Sequence, residues 1–125
     1  MIFTKSCLSV SDNSGVKYVK CLKVIRTVSA IGKKQIATTG DLVLCSIKLT
    51  RPLEKIKKGD LFKALIIRTR AKESRRYGSI RFFKNAVIIL DSKLEPIGNR
   101  IFGPVSRKAI EQNFVKLLSI KVIDF

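Results

Sequence analysis

Hydrophobic and polar residues alternate along much of the chain, and this alternation predicts β-strands. The clearest example places Val43, Cys45, Ile47 and Leu49 at every second position. Successive side chains of a strand point to opposite faces, so a period of two is expected of a half-buried strand. Residues 18–25 interleave apolar and lysine side chains in a similar way. Both stretches are therefore predicted to form strands with one face against a core.

Two further strands are predicted from apolar runs. Residues 61–69 are mostly apolar but carry Lys63 and Arg68, which is consistent with a central strand of a closed sheet. Residues 85–90 are rich in β-branched side chains, which favour strands. Turn-forming residues separate the predicted strands at 12–15, 40–41, 57–60 and 96–99. Short strands at nearly regular spacing predict a small β-barrel, whose closure leaves no open sheet edge.

The end of the chain has a different pattern. Ser106 is a candidate N-cap, and Ile110, Phe114 and Leu117 follow at helical spacings of four and three. This stripe predicts a helix whose apolar face covers the barrel. Residues 118–125 are predicted to return as a short strand. Because no repeat, linker or low-complexity tract interrupts the chain, we predict a single domain.

The charge balance indicates what kind of partner the protein binds. The 125 residues include 26 Lys and Arg against 9 Asp and Glu, a formal net charge of +17. Such an excess opposes compaction and calls for a polyanionic partner: RNA, DNA or an anionic membrane surface. No apolar run approaches the roughly 18 residues of a membrane-spanning helix. Residues 1–5 resemble neither a signal peptide nor a transit segment, so we expect the protein to act in the compartment that makes it.

The densest basic stretch joins two predicted strands, and we predict that it forms a projecting β-ribbon. Its positive residues are Arg68, Arg70, Lys72, Arg75, Arg76, Arg81 and Lys84, opposed only by Glu73. The planar guanidinium of arginine suits two-point contact with phosphate, so Arg75 and Arg76 near the tip are candidates to reach into RNA. The alternative is a solvated basic loop without a partner.

Two other basic groups are candidates for RNA binding. One comprises Lys17, Lys20, Lys23, Arg26, Lys33 and Lys34, without any acid. The other comprises Lys48, Arg51, Lys55, Lys57 and Lys58, with Glu54 as its sole acid. Lys20 and Lys23 are three residues apart, so they point to opposite faces of a strand unless a bulge intervenes.

The aromatic content bears on the kind of nucleic acid. Aromatic residues make up 7% of the chain, with no tryptophan, and only Phe82 and Phe83 with Tyr77 cluster in sequence. Single-strand binders need several exposed aromatic platforms, so the pattern favours phosphate and shape recognition of folded RNA. A single-strand chaperone is the second hypothesis and would require an exposed aromatic row. The predicted helix is a poor match to a DNA recognition helix.

Enzymatic and metal chemistry are disfavoured by the residues present. The chain has no histidine and no CxxC pair, which removes the usual zinc sites and the commonest general base. Asp41, Asp60 and Asp91 are predicted to be turn residues, and we expect no enzyme activity, metal or cofactor. The cysteines are predicted to occupy core or half-buried positions in a reducing environment: Cys7, Cys21 and Cys45.

Several blocks, in order along nearly the whole chain, resemble a known family. They are 11–15 (Ser-Asp-Asn-Ser-Gly), 21–24 (Cys-Leu-Lys-Val), 57–60 (Lys-Lys-Gly-Asp), 96–105 (Pro-Ile-Gly-Asn-Arg-Ile-Phe-Gly-Pro-Val), and 114–116 (Phe-Val-Lys) with Ser119. The sequence is similar to ribosomal protein L-fourteen of the bacterial-type large subunit. It departs from the family at Asn99, where threonine is usual, at Tyr77 before Gly78, and in its last five residues.

The resemblance implies a mainly β fold: a five-stranded barrel over about 1–100, a projecting ribbon over about 68–84 and a small C-terminal helical region over about 104–125. It implies a structural constituent of the large ribosomal subunit that supports translation, binds large-subunit rRNA and helps form a bridge to small-subunit rRNA. The implied protein neighbours are ribosomal proteins L-three and L-nineteen.

The resemblance also implies a docking site for a ribosome-silencing factor, which would map to Asn99, Arg100 and Lys116. Arg100 is added to the candidate rRNA-binding residues. The Lys-, Ile- and Phe-rich composition and the altered ending favour an organelle-encoded copy in the mitochondrial matrix, with a bacterial cytoplasm or a plastid as alternatives.

Overall fold

A closed five-stranded β-barrel forms the body of the protein. The computed structural model describes residues 2–26, 36–52, 55–76, 78–110 and 123–124. Its elements are β1 (Cys7–Val10), β2 (Val16–Arg26), β3 (Leu42–Thr50), β4 (Leu61–Arg68), β5 (Glu73–Arg75), β6 (Gly78–Ile80), β7 (Ala86–Leu90), β8 (Pro104–Val105), α1 (Arg107–Ile110) and β9 (Ile123–Asp124). The barrel order is β1-β2-β3-β4-β7, and a parallel pairing of β1 with β7 closes it. The predicted mainly β fold is confirmed.

The interior of the barrel is filled by inward-facing side chains from all five strands. Val43, Cys45 and Ile47 of β3 are fully buried there, as their alternation predicts. Leu49 does not share this burial: its side chain is 48% exposed. The pairing with β2 skips Lys48, an extra residue that forms a bulge. A bulge shifts the alternation by one position, so Leu49 faces outward and its predicted burial is wrong.

A second apolar core lies on the outer side of β4 and β7. There Leu65, Ile67 and Ile88 pack with residues of the C-terminal segment, among them Ile101 and Val105. Both faces of β4 and β7 are therefore buried, which explains why their sequences are continuous apolar runs rather than alternating ones.

The C-terminal segment agrees with its prediction where it is described. Helix α1 begins directly after Ser106, and the buried Ala109 packs in the outer core. Strand β9 pairs in parallel with β8, which places a short returning strand at Ile123–Asp124. Phe114 and Leu117 of the predicted stripe lie outside the described residues. Within the described ranges, no helix has the length and apolar character needed to cross a membrane.

The three aspartates predicted to occupy turns do so, each accepting hydrogen bonds from nearby backbone amides. Asp41 Oδ2 accepts from the Thr38 N–H at 2.8 Å, and Asp60 Oδ2 accepts from the Lys57 N–H at 2.9 Å. Asp91 Oδ1 accepts from two amides at 2.9 Å. These bonds fix the turns in the way that aspartate side chains commonly do.

The cysteines divide between the core and the surface. Cys21 and Cys45 are fully buried neighbours across β2 and β3, and both are free thiols. Burial disfavours the thiolate and, with the neighbouring Cys21 as a second cause, raises the pKa of Cys45 to about 12. Cys7 is exposed, so its predicted core or half-buried position is wrong. It begins β1 opposite Lys20, on the outer face of the barrel.

Candidate RNA interface

The predicted β-ribbon is present and stands apart from the barrel sheet. Strands β5 and β6 pair only with each other, with Arg75 opposite Gly78 at the turn. Arg76 therefore lies at the tip, whereas Tyr77 is outside the described residues. The basic side chains described as exposed along and beside the ribbon are Arg70, Lys72, Arg76, Arg81 and Lys84. The structure thus gathers most of this predicted group on one projecting element.

Hydrogen bonds at its base fix the ribbon to the barrel. The Phe82 N–H donates to the Thr69 carbonyl at 3.2 Å, and the Arg70 N–H donates to Asn85 Oδ1 at 2.9 Å. The Ser9 hydroxyl on β1 donates to the Asn85 carbonyl at 2.9 Å. Because both sides of the base are tied, the ribbon presents its charges from a fixed position.

Arg68 differs from the rest of the predicted ribbon group. Its guanidinium Nη1 donates to the carbonyls of Phe102 and Pro104, both at 3.0 Å, and Nη2 donates to the Ser11 hydroxyl. Partial burial lowers the pKa of this guanidinium. Gly103 has a φ of +81°, and a Cβ there would collide with the guanidinium. Arg68 is therefore an internal clamp, because most of its donors are used within the chain.

Two blocks of the family resemblance fold against each other beside this clamp. Asn13 Oδ1 accepts from the N–H groups of Asn99 at 2.7 Å and Arg100 at 3.1 Å. A Cβ added at Gly98 would lie 2.7 Å from the same oxygen. Asp12 Oδ2 accepts from the Ile89 N–H at 3.1 Å, which ties the 11–15 loop to the barrel. The close packing accounts for Asn13 in the first block and for Gly98 in the second.

The side chains of Asn99 and Arg100 are exposed on this anchored backbone. The Arg100 guanidinium lies 5.8 Å from the centre of the Phe102 ring, within the range of a cation–π interaction. Lys116, the third residue predicted for the silencing-factor site, lies outside the described residues. The structure thus describes two of the three predicted positions, Asn99 and Arg100, as neighbours on one loop.

A bulge in β2 gives Lys20 and Lys23 a common face. Cys21 pairs with Cys45 but Lys23 pairs with Leu44, so Leu22 is an extra residue between them. Two lysines three apart can then point the same way. Lys63 on β4 also pairs with Leu44, so it extends the row begun by Lys23. Lys63 was not among the predicted binding residues, because it lies within an apolar run and only strand pairing reveals its neighbours.

The structure places the other predicted basic residues at more than one position on the barrel, as far as they are described. Lys48, Lys57 and Lys58 are exposed at one end of the barrel, where the 57–60 turn bonds to Ile47. Lys55 is also exposed. Arg51 is held elsewhere, because its N–H donates to the Gly15 carbonyl at 2.9 Å. At that position Arg51 and Lys17 line the same depression. Lys33 and Lys34 lie outside the described residues, and nothing is described of the Arg26 side chain.

Aromatic side chains that are distant in sequence gather around β1. Tyr18 and Phe102 line one surface depression, Phe82 and Phe83 line a second, and Tyr18 and Phe83 line a third. All three depressions include Ser9, so we call them together the β1 groove. Sequence order had shown only the cluster around Phe82 and Phe83. Tyr18 and Phe102 join it through the pairing of β2 with β1 and the bond between Phe102 N–H and the Ser11 carbonyl.

Among the described residues, no group of three Cys, Asp or Glu side chains is arranged to hold a metal ion. What the described surface offers is positive charge on several sides of a rigid barrel. The family model for Ribosomal protein L14p/L23e matches residues 1–123, almost the whole chain. Proteins of this family are typically structural and non-enzymatic. The chain therefore belongs to the Ribosomal protein L14p/L23e family and is a structural constituent of the large ribosomal subunit.

Proposed function

We propose that this protein holds large-subunit rRNA through distributed phosphate contacts and helps to form an intersubunit bridge to small-subunit rRNA. The observation that carries the proposal is the anchored, projecting ribbon with its exposed basic side chains. A projecting basic ribbon can enter a groove of folded RNA while the barrel stays outside. The net charge of +17 makes an RNA environment electrostatically favourable for the whole protein.

The distribution of the remaining charge supports contact with RNA on more than one side. The row containing Lys23 and Lys63 lies on the outer face of β2–β4, and Lys48, Lys57 and Lys58 lie at one end of the barrel. A protein embedded in folded RNA, or standing between two RNAs, needs cations on several faces. A binder of one flexible strand would instead combine one continuous basic track with a row of aromatic platforms.

Contacts with other ribosomal proteins are part of the same proposal. Leu22, Ile25, Leu49 and Leu61 on β2–β4 are exposed apolar side chains, and such residues are favourable to bury against a protein neighbour. The family resemblance suggests ribosomal proteins L-three and L-nineteen as these neighbours. It also suggests a silencing factor at the surface formed by Asn99 and Arg100, with Lys116.

We further propose the mitochondrial matrix as the location, with a bacterial cytoplasm or a plastid as alternatives. The support is the Lys- and Ile-rich composition. Determining which genome carries the gene tests this point directly. A chromosomal copy in a free-living bacterium would overturn it without affecting the proposed RNA contacts.

Incorporation into large subunits tests the RNA-binding proposal. The test variant replaces Arg70, Lys72, Arg81 and Lys84 of the ribbon with glutamine, and the control is Lys93→Gln, an exposed charge on a distant turn. Gradient fractionation after reconstitution should show the ribbon variant largely free and the control in the large-subunit peak. Equal incorporation of both variants would remove the ribbon from the RNA interface. Circular dichroism checks that both variants retain the barrel.

A further inference from the structure

The β1 groove has the features of a binding site beyond the distributed phosphate contacts. Its largest depression is about 490 Å³, within the range of small-molecule sites. It is lined by the outer face of β1 at Cys7 and Ser9, by Tyr18 of β2, and by Arg70, Phe83 and Lys84 at the ribbon base. The groove is thus a junction between barrel and ribbon.

Two of these side chains are aromatic rings that the folded chain leaves uncovered. Phe83 is 97% exposed and Tyr18 is 50% exposed. A ring as open as that of Phe83 contributes nothing to the core of the protein. An aromatic face that is both exposed and held at the edge of a depression is suited to stacking with another planar group.

The charge of the groove selects the kind of planar group. Arg70 and Lys84 are the charged side chains described in the largest depression. The neighbouring depression includes one acid, Asp12, which is outnumbered there by the cations Lys17 and Arg51. A ligand that combines a flat ring with a negative charge therefore fits the groove better than a neutral or cationic one.

The groove is also held in place before any ligand arrives. Phe83 and Lys84 lie between Phe82 and Asn85, and both of these flanking residues are tied by hydrogen bonds to the other side of the ribbon base. Asn85 is additionally tied to Ser9 of β1. A short segment anchored at both ends loses little conformational entropy on binding, which favours a specific site.

We propose that the β1 groove binds one unpaired nucleotide of RNA, with its base stacked on Phe83, Tyr18 forming the other wall, and its phosphate beside Arg70 and Lys84. The site rests on the proposed RNA-binding function and adds to it a contact with a base. Ribosomal RNA would then be held by phosphate contacts along the ribbon and by a stacked base at the ribbon's root.

The experiment uses the absence of tryptophan from the chain. Phe83→Trp keeps an aromatic face and introduces a single tryptophan, whose fluorescence is quenched by a stacked base. The probes are a short oligouridylate and an abasic ribose-phosphate oligomer of the same length and charge. We expect quenching by the oligouridylate and none by the abasic oligomer.

Affinity measurements on Phe83→Ala complete the test. Loss of one stacked base should weaken oligouridylate binding roughly 5- to 100-fold and leave abasic binding unchanged. The control is Phe3→Ala, which removes another exposed ring, 53% exposed, that does not line the groove and should change neither affinity. Because Phe83 is almost fully exposed, its removal should not alter the fold, and thermal unfolding verifies this.

The outcomes separate this inference from the proposed function. Equal affinity of Phe83→Ala and the unchanged protein for oligouridylate would overturn the stacking site, and a protein neighbour would then be the occupant to consider for the exposed ring. Salt-dependent binding of duplex rRNA would persist in that case. Failure of the unchanged protein to bind any RNA at low salt would instead overturn the proposed function itself.

Discussion

Replacing Arg68 by methionine should destabilise the protein without directly removing an RNA contact. Methionine keeps the apolar stem but removes the guanidinium that donates to Phe102, Pro104 and Ser11. A hydrogen bond to a charged group contributes about 1.5–3 kcal/mol. Since this guanidinium is only half-buried, water can replace part of each bond, so we take about 1 kcal/mol for each. The three bonds predict a loss of about 3 kcal/mol in the free energy of unfolding.

Chemical denaturation measures this loss, as a lower midpoint at an unchanged m-value. The matched control is Arg70→Met, two residues further on, whose side chain is exposed and whose replacement should change stability by less than about 0.5 kcal/mol. RNA affinity should show the reverse order. Arg70→Met should weaken RNA binding, because Arg70 faces solvent at the ribbon, whereas Arg68→Met should change it less. A stability change for Arg68→Met as small as that of the control would refute the clamp.

The same clamp can be tested from its other side. Gly103→Ala places a Cβ against the guanidinium at a φ of +81°, so it should also be destabilising. In the Arg68→Met background the collision is removed and only the backbone strain remains. The loss in free energy of unfolding of the double variant should therefore be smaller than the sum of the losses of the two single variants. Strict additivity would indicate that the residues act independently.

Three further predictions concern single positions. Gly98→Ala should cost about 1–3 kcal/mol of stability, because its Cβ would crowd Asn13 Oδ1; an unchanged denaturation midpoint would contradict this packing. Arg81→Gln should reduce the slope of log K against log salt for duplex rRNA by about 1, measured by filter binding, and an unchanged slope would exclude a phosphate contact. With a pKa of about 12, Cys45 should stay unmodified by iodoacetamide between about pH 7 and 9 while the exposed Cys7 reacts, as read by mass spectrometry. Equal labelling of the two cysteines would contradict the buried thiol.

Local patterns were sufficient to predict β2, β3, β4, β7 and the ribbon, whereas β1, which closes the barrel, was not predicted from its pattern. Alternation at Val43, Cys45 and Ile47 reports a half-buried strand because side-chain direction depends on the residue's own backbone. The ribbon between β4 and β7 could likewise be predicted, because few other conformations are available to a polar, basic stretch that joins two apolar strands. The turn aspartates act through bonds to residues two to four positions away, so they too are visible in sequence.

The features that sequence reasoning missed depend on strand pairing or on distant partners. The bulges at Leu22 and Lys48 exist only relative to the neighbouring strand, so the common face of Lys20 and Lys23 and the exposure of Leu49 could not be read from spacing. Arg68 was grouped with the ribbon by charge, although its partners Phe102, Pro104 and Ser11 lie 34, 36 and 57 residues away along the chain. The β1 groove likewise combines side chains from separate parts of the chain.

The salt dependence of binding to a large-subunit rRNA fragment tests the central claim most directly. If the four ribbon cations Arg70, Lys72, Arg81 and Lys84 each neutralise one phosphate, log K should fall with log salt at a slope of roughly −3 to −4 or steeper. Replacing these four by glutamine should flatten the slope by about the same amount. A slope near zero for the unchanged protein would contradict the account.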